Sequence, residues 1–290
     1  MSGYTIGASL MVASMLCFAS MDAITKYIVH DYGVAQVLFV RSVIFLGLAA
    51  LLAHRTQGLR RALRSRRPWL QFWRAALAVL ESCMFVLAFR YLPLADTHAV
   101  GSSSPLIVVA LSAPMLGEKV GLDRWAAVLV GFAGVLLIIR PGFASPNWAL
   151  LLPLAGAAMW GLYQILIRLC GRTDSSETTL LWSAGVALLL TMFAGLPTWN
   201  PPSGLGWTLL IAISLLGSLG YLALTFALDA AEAAAIQPYS YTLLLWVSVL
   251  GVLVFGDIPD GWTIAGGAIV VASGLFAWWR ERLANSVAPG

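Results

Sequence analysis

Apolar residues fall in ten long blocks, at 6–28, 34–53, 70–91, 94–115, 122–139, 147–169, 178–197, 205–227, 233–255 and 261–279, each bounded by proline, glycine or charge. A helix rising about 1.5 Å per residue needs about 20 apolar residues to cross a hydrocarbon layer about 30 Å thick. Every block is near that length. The pattern therefore predicts an all-α integral membrane protein of ten transmembrane helices, and an even number of crossings puts both termini on one side.

Composition removes the soluble alternative. The chain is 60% hydrophobic and 10% charged, with a mean hydropathy of +0.87, whereas soluble domains have about 45–50% apolar and about 25% charged residues. The net charge of +4 is concentrated in one run, Arg55, Arg60, Arg61, Arg64, Arg66 and Arg67, between two apolar blocks. Such a run reads as a cytoplasmic loop meeting anionic headgroups, not as a nucleic-acid surface. Cys17, Cys83 and Cys170 are far apart and form no CxxC pair, so neither a disulfide framework nor a zinc site is expected. No Lys or Arg precedes Lys26, and the first block is too long for a signal-peptide core, so it reads as the first span. With the termini inside, the cytoplasmic side also collects Lys119, Arg124, Arg168, Arg172, Arg280 and Arg282, against Lys26, Arg90 and Arg140 outside. The positive-inside rule then predicts cytoplasmic termini.

The chain also repeats itself. Leu116-Gly117-Glu118, Asp123-Arg124-Trp125 and a Gly131-x-x-Gly134 helix ending at Arg140 are echoed by Phe255-Gly256-Asp257, Asp260-Gly261-Trp262 and a Gly266-Gly267…Gly274 helix ending at Arg280, at an offset of about 140 residues. This divides the chain into 1–143 and 144–290, with five spans each. An odd number per half makes the two insert in opposite senses, an arrangement of secondary transporters that bind substrate between the halves near the midplane.

Phe18-Ala19-Ser20-Met21-Asp22-Ala23, Lys26-Tyr27, Gln36-Val37, Phe39-Val40-Arg41-Ser42, Leu92-Pro93-Leu94-Ala95-Asp96, Pro105-Leu106, Leu116-Gly117-Glu118-Lys119-Val120, Val130–Val135 and Arg140-Pro141-Gly142 resemble EamA-type members of the drug/metabolite transporter superfamily. Pro238-Tyr239-Ser240-Tyr241 and Phe255–Asp260 are similar to the pattern in the second half, so the resemblance covers nearly the whole chain. It implies a ten-helix carrier with duplicated halves, working by alternating access in a bacterial inner membrane. The likeness is greatest to amino-acid and metabolite exporters, the aromatic amino-acid group among them. Asp257 stands where the first half has Glu118, so no shared role is read for the two acids.

Ionisable groups inside a span cost about 2.5–3.5 kcal/mol on insertion scales, so they are candidates for function. Glu81, in the middle of the third span, shares a helical face with Gln71, Arg74, Ala78 and Phe85. It reads either as a site for a substrate ammonium or coupling proton, or as a paired acid tying two helices. His98 reads as a titrating group or as a hydrogen-bonded interface histidine. Asp22, Lys26 and Arg41 read as a structural ion-pair cluster, and Arg74 as a side chain that snorkels to the cytoplasmic surface. Pro105 after Ser102, Ser103 and Ser104, and Pro238 after Gln237, interrupt the fourth and ninth spans and release backbone carbonyls that line either a substrate site or a simple kink. Trp160, Tyr163 and Gln164, then Tyr221, Tyr239 and Tyr241, complete the candidate site as mid-span aromatic and amide groups. The glycine pairs Gly131/Gly134 and Gly267/Gly274 read as close helix contacts.

An intramembrane serine enzyme is the main rival class. Gly101-Ser102-Ser103 offers Gly-x-Ser, but the other histidines, His30 and His54, fall in expected loops, and neither HExxH nor a P-loop occurs. The reading is an exporter of amino acids, or of another amphipathic solute such as a nucleoside, vitamin or drug. Its partners are a small-molecule solute and the lipid bilayer, with no cofactor, metal or nucleic acid, and a single chain is expected to suffice.

Overall fold

The computed structural model of the protein describes residues 3–117, 121–140, 147–230 and 236–287. The described residues are helical nearly throughout. The first helix, α1 (Gly3–Thr56), is a single hydrogen-bonded run bent at Gly33, whose φ of 67° lies in the left-handed region open to glycine. Phe18 and Phe45 both pack on the ring of Tyr221, at 5.2 and 5.9 Å. On an unbroken helix they would stand about 40 Å apart. Gly33 thus folds α1 back into two arms, 3–32 and 34–56. His30 and His54 lie in these arms, not in the loops expected for them.

A short turn, α2 (Leu59–Ala62), leads to α3 (Pro68–Ala88), which starts on a proline whose missing N–H costs nothing there. The fourth block is broken into α4 (Leu94–Gly101) and α5 (Ser104–Leu116), followed by α6 (Leu122–Ile139). After a capped 3-10 turn at Trp148–Leu150 come α7 (Leu151–Gly171), α8 (Ser176–Gly195) and α9 (Gly204–Ala230). The ninth block is a 3-10 turn (Gln237–Tyr241), then α10 (Thr242–Leu250), then a π turn (Gly251–Phe255), and α11 (Gly261–Val287) closes the chain.

Eight of the described helices are long and apolar enough to cross a membrane. One of them, Tyr4–Thr56, is 53 residues long, and Trp125–Ile139 is a shorter apolar helix. The packing maps onto itself when the halves are exchanged. The arms of α1 pack on α9 as α7 and α8 pack on α3; α10 packs on α1 as α5 packs on α7; α6 and α11 pack on each other. Arg140, after α6, pairs with Asp260, just before α11, while Arg280, late in α11, pairs with Asp123 at the start of α6. Two helices whose opposite ends are joined in this way are antiparallel. They cross closely, because a Cβ on Gly134 would lie 2.8 Å from the Gly266 carbonyl oxygen, and one on Gly266 would lie 2.6 Å from that of Gly134. Glu118, Lys119, Val120, Pro141 and Gly142 fall outside the described residues.

Candidate functional site

Glu81 is placed by the middle of α3 and is half-buried, with Ser82 Oγ 3.2 Å from its carboxylate. It lies within electrostatic reach of Arg41 on the second arm of α1 and Asp22 on the first. Tyr163 of α7 and Tyr221 of α9 both sense its charge. Helices from both halves thus bring Glu81, Arg41, Asp22, Tyr163 and Tyr221 into one polar centre.

One turn beyond Glu81, the Phe85 ring fills the space left by two glycines: a Cβ on Gly101 or Gly156 would come within 2.9 or 2.7 Å of it. The same ring lies 5.7 Å from the His98 imidazole, and Phe89 lies 5.8 Å from it. His98 Nε2 is 3.1 Å from Asp22 Oδ2. Lys26, one turn along from Asp22, pairs instead with Asp257 at 2.5 Å and sits 4.7 Å from the centre of the Phe255 ring. The expected cluster of Asp22, Lys26 and Arg41 is therefore divided: its ion pairs run between helices and not along α1. Among the described residues no acid is in ion-pair contact with Arg41.

The break between α4 and α5 falls beside this centre. Pro105 has no N–H to give to the turn before it. The serine hydroxyls bond back within the same turn, Ser102 Oγ to the His98 carbonyl at 2.7 Å and Ser103 Oγ to that of Val100 at 2.7 Å, both of which also accept a backbone N–H. Ser103 and Ser104 are buried, and Ser102 and Pro105 half-buried. Irregular backbone of this kind survives in a bilayer only where protein or water serves it.

Toward the end of the bundle that carries the termini, Trp160 and Tyr163 stack at 5.1 Å on successive turns of α7, with Gln164 half-buried beside them. Arg74 lies 5.4 Å from the Tyr163 ring centre and donates to its hydroxyl at 3.2 Å. The guanidinium also donates to Gln71 Oε1, to the Thr179 carbonyl at 3.0 Å and to Ser183 Oγ at 2.9 Å. Gln71 extends the network to Asp174 at 2.9 Å, which also accepts from Ser65 and the Arg66 amide. Arg74 is 0% exposed, so it does not snorkel. All three nitrogens of the planar group find acceptors, on α3, α7 and α8, which removes the need to reach water. Sequence reasoning missed this anchor, although Gln71 and Arg74 stood on the Glu81 face and marked it.

The ninth-span aromatics point elsewhere. Tyr239 meets Tyr4, hydroxyl to hydroxyl, at 2.9 Å near the start of α1. The Tyr241 hydroxyl lies over Gly274 of α11, where a Cβ would overlap it. The Gln237 side chain is outside the described residues. Of the candidates, the structure gathers Glu81, His98, the serine–proline break, Tyr163 and Tyr221 with Asp22 and Arg41, and leaves Tyr239 and Tyr241 at the flank.

Comparison with known proteins bears on this arrangement. Residues 5–140 and 147–279 each match the EamA-like transporter family. A riboflavin transporter of Vibrio cholerae is 31% identical, the alignment covering 95% of this chain and 94% of that one. An S-adenosylmethionine uptake transporter of Rickettsia bellii is 24% identical, over 98% and 97%, and a pseudopaline exporter of Pseudomonas aeruginosa is 27% identical, over 92% and 94%. A solved crystal structure superposes with a TM-score of 0.63 at 19% identity, covering 97% of this chain and 98% of its own, which shows a shared fold. These names do not include an amino-acid exporter.

Proposed function

The chain belongs to the EamA-like transporter family, and from that premise we propose that it carries a flat nitrogen heterocycle with a polar tail, of the riboflavin kind, across a bacterial inner membrane. The observation that carries this reading is the alignment with a riboflavin transporter over nearly the whole length of both chains. Riboflavin and S-adenosylmethionine share a planar nitrogen heterocycle joined to a hydroxyl-bearing sugar-type group, so a common pocket chemistry fits those two of the three named relatives. That replaces the amino-acid reading of the sequence with its vitamin alternative.

The interior supports it. The stacked Trp160 and Tyr163 offer a face for a flat ring. Glu81, Arg41 and the Ser102–Ser104 break offer donors and acceptors for a polyhydroxyl tail. In this reading, ten spans form two inverted halves, 1–143 and 144–290, with both termini cytoplasmic. The halves rock about the α6–α11 pair to expose the centre alternately, as paired inverted repeats do. The exchangeable packing and the reciprocal Arg140–Asp260 and Arg280–Asp123 pairs support that geometry.

The test is counterflow of labelled riboflavin in liposomes holding the purified protein. Saturable exchange, competed by flavin analogues and not by phenylalanine, is expected. Trp160→Ala should weaken apparent affinity about tenfold, since ring stacking contributes about 1–3 kcal/mol per base. Exchange of phenylalanine without riboflavin would return the solute to the amino acids.

A further inference from the structure

Apolar side chains from both halves close the way from the polar centre to the face away from the termini. Ala23, Phe89 and Leu94 of the first half pack with Val247, Leu250 and Phe255 of the second. Phe89 stands two turns beyond Glu81 at the end of α3, and Lys26 one turn beyond Asp22 on α1, so this plug lies between the centre and that face. Over it, Lys26 Nζ is 2.5 Å from Asp257 Oδ2 and 4.7 Å from the centre of the Phe255 ring, with the Lys26 and Asp257 side chains 14% and 27% exposed. One cation thus holds both the acid and a ring of the plug. Asp257 follows the π turn Gly251–Phe255 and its cap Gly256, whose φ is 71°, and π geometry occurs frequently at functional sites. Among the described residues, three ion pairs join the halves. Arg140–Asp260 and Arg280–Asp123 tie α6 to α11, about which the halves rock in the reading above, so both pairs survive the motion. Lys26–Asp257 lies off that axis and has to part when the halves open toward its side.

We propose that Lys26, Asp257 and Phe255 form the gate of the face away from the termini, an inference that rests on the transport reading above. In the closed form, which the structure shows, Lys26 draws the end of the ninth span onto α1 and seats Phe255 in the plug. Opening separates Nζ from Oδ2, lifts Phe255 away and admits water and solute to Glu81 and Arg41. No covalent bond changes. A partly buried ion pair gains little more from its contact than it loses in hydration, and each charge is hydrated again when the gate opens, so the closed form is held without being locked. Arg90, at the same end of α3, meets no acid in ion-pair contact among the described residues and serves as the control.

The test uses the full chain in liposomes that hold it in one orientation. The free cysteines are removed as Cys17→Ala, Cys83→Ala and Cys170→Ala, and Ser102→Cys supplies a single probe on the inner side of the plug. A membrane-impermeant maleimide applied from the face away from the termini should label the probe slowly, and severalfold faster once Lys26→Gln or Asp257→Asn is added. Arg90→Gln should leave the rate as it was. A rate unchanged in either folded gate variant, or raised equally by Arg90→Gln, would overturn the proposal. The second readout is flux. Lys26→Cys with Asp257→Cys, in the cysteine-free background and joined by a short reducible bis-thiosulfonate, should stop riboflavin counterflow, and a reductant should restore it. Counterflow that continues across the intact link would overturn the gate. Labelling that responds to both gate variants, in a protein showing no riboflavin counterflow, would sink the solute reading and leave the gate standing.

Discussion

Arg74 illustrates how much one side chain decides. Burying a guanidinium is tolerable here because its fork reaches Gln71, Tyr163, Thr179 and Ser183 together. A lysine has three donors from one point and cannot span them. Arg74→Lys should therefore lose about 2–3 kcal/mol of stability, read as a lower melting temperature of the purified protein; melting at the wild-type temperature would show that the network holds nothing together. Asp174, in the loop after α7, gives a pH signature. Burial works to raise its carboxyl, but the hydrogen bonds from Gln71, Ser65 and the Arg66 amide, with the Arg66 charge, outweigh it and hold the group below the usual carboxylate range. A lowered folded value stabilises the protein above the unfolded value of about 4 and ceases to do so as pH falls through the folded one. Melting temperature should drop below about pH 4, and less steeply in Asp174→Asn. An equal slope in the variant would assign the loss to other acids. The polar type and helical face of these residues were legible in the sequence, but their partners were not. Thr179 and Ser183 lie on a helix more than a hundred residues away.

Among the described glycines, those of the α6–α11 crossing come nearest to a neighbouring backbone. Gly266→Ala would place a methyl 2.6 Å from the Gly134 carbonyl oxygen and 2.5 Å from Ile138 Cγ1. Overfilling of that kind costs about 1–3 kcal/mol. Gly47→Ala meets nothing within 4 Å and lies in the middle of a helix, so it should stabilise by about 0.4–1 kcal/mol. Equal melting temperatures for the two variants would count against the close crossing. The interruption of the fourth span was visible in the sequence because Gly-Ser-Ser-Ser-Pro removes a backbone donor beside a run of small hydroxyl residues that bond back to their own turn. The ninth was visible only as Gln237-Pro238. The direction of Tyr241 depends on Gly274 of α11, which no local pattern in that segment records, and none there marks the π turn at Gly251–Phe255 either. Gly33 turned the chain with no loop at all, so the first two blocks became one helical run.

At the scale of the molecule, the pairs at the two ends of α6 and α11 make a topological prediction. Asp123→Cys should react with a membrane-impermeant maleimide from the face that holds the termini, and Asp260→Cys from the other. Labelling of both from one face would remove the inversion and the alternating-access reading with it. Membrane class, helix-only architecture, the duplication and the family were all determined by the sequence alone. The first three follow from local length, hydropathy or repeated spacing and the family from the motifs it resembles, and an unsatisfied backbone in hydrocarbon leaves few alternatives to helices. Tertiary structure decided which charges meet. It gave Asp22 to His98, Lys26 to Asp257 and Arg74 to neutral acceptors, and it separated Tyr239 and Tyr241 from the centre. Spacing along a helix places a residue on a face, but partner choice depends on how helices distant in sequence are rotated and staggered, and packing of the whole bundle sets that.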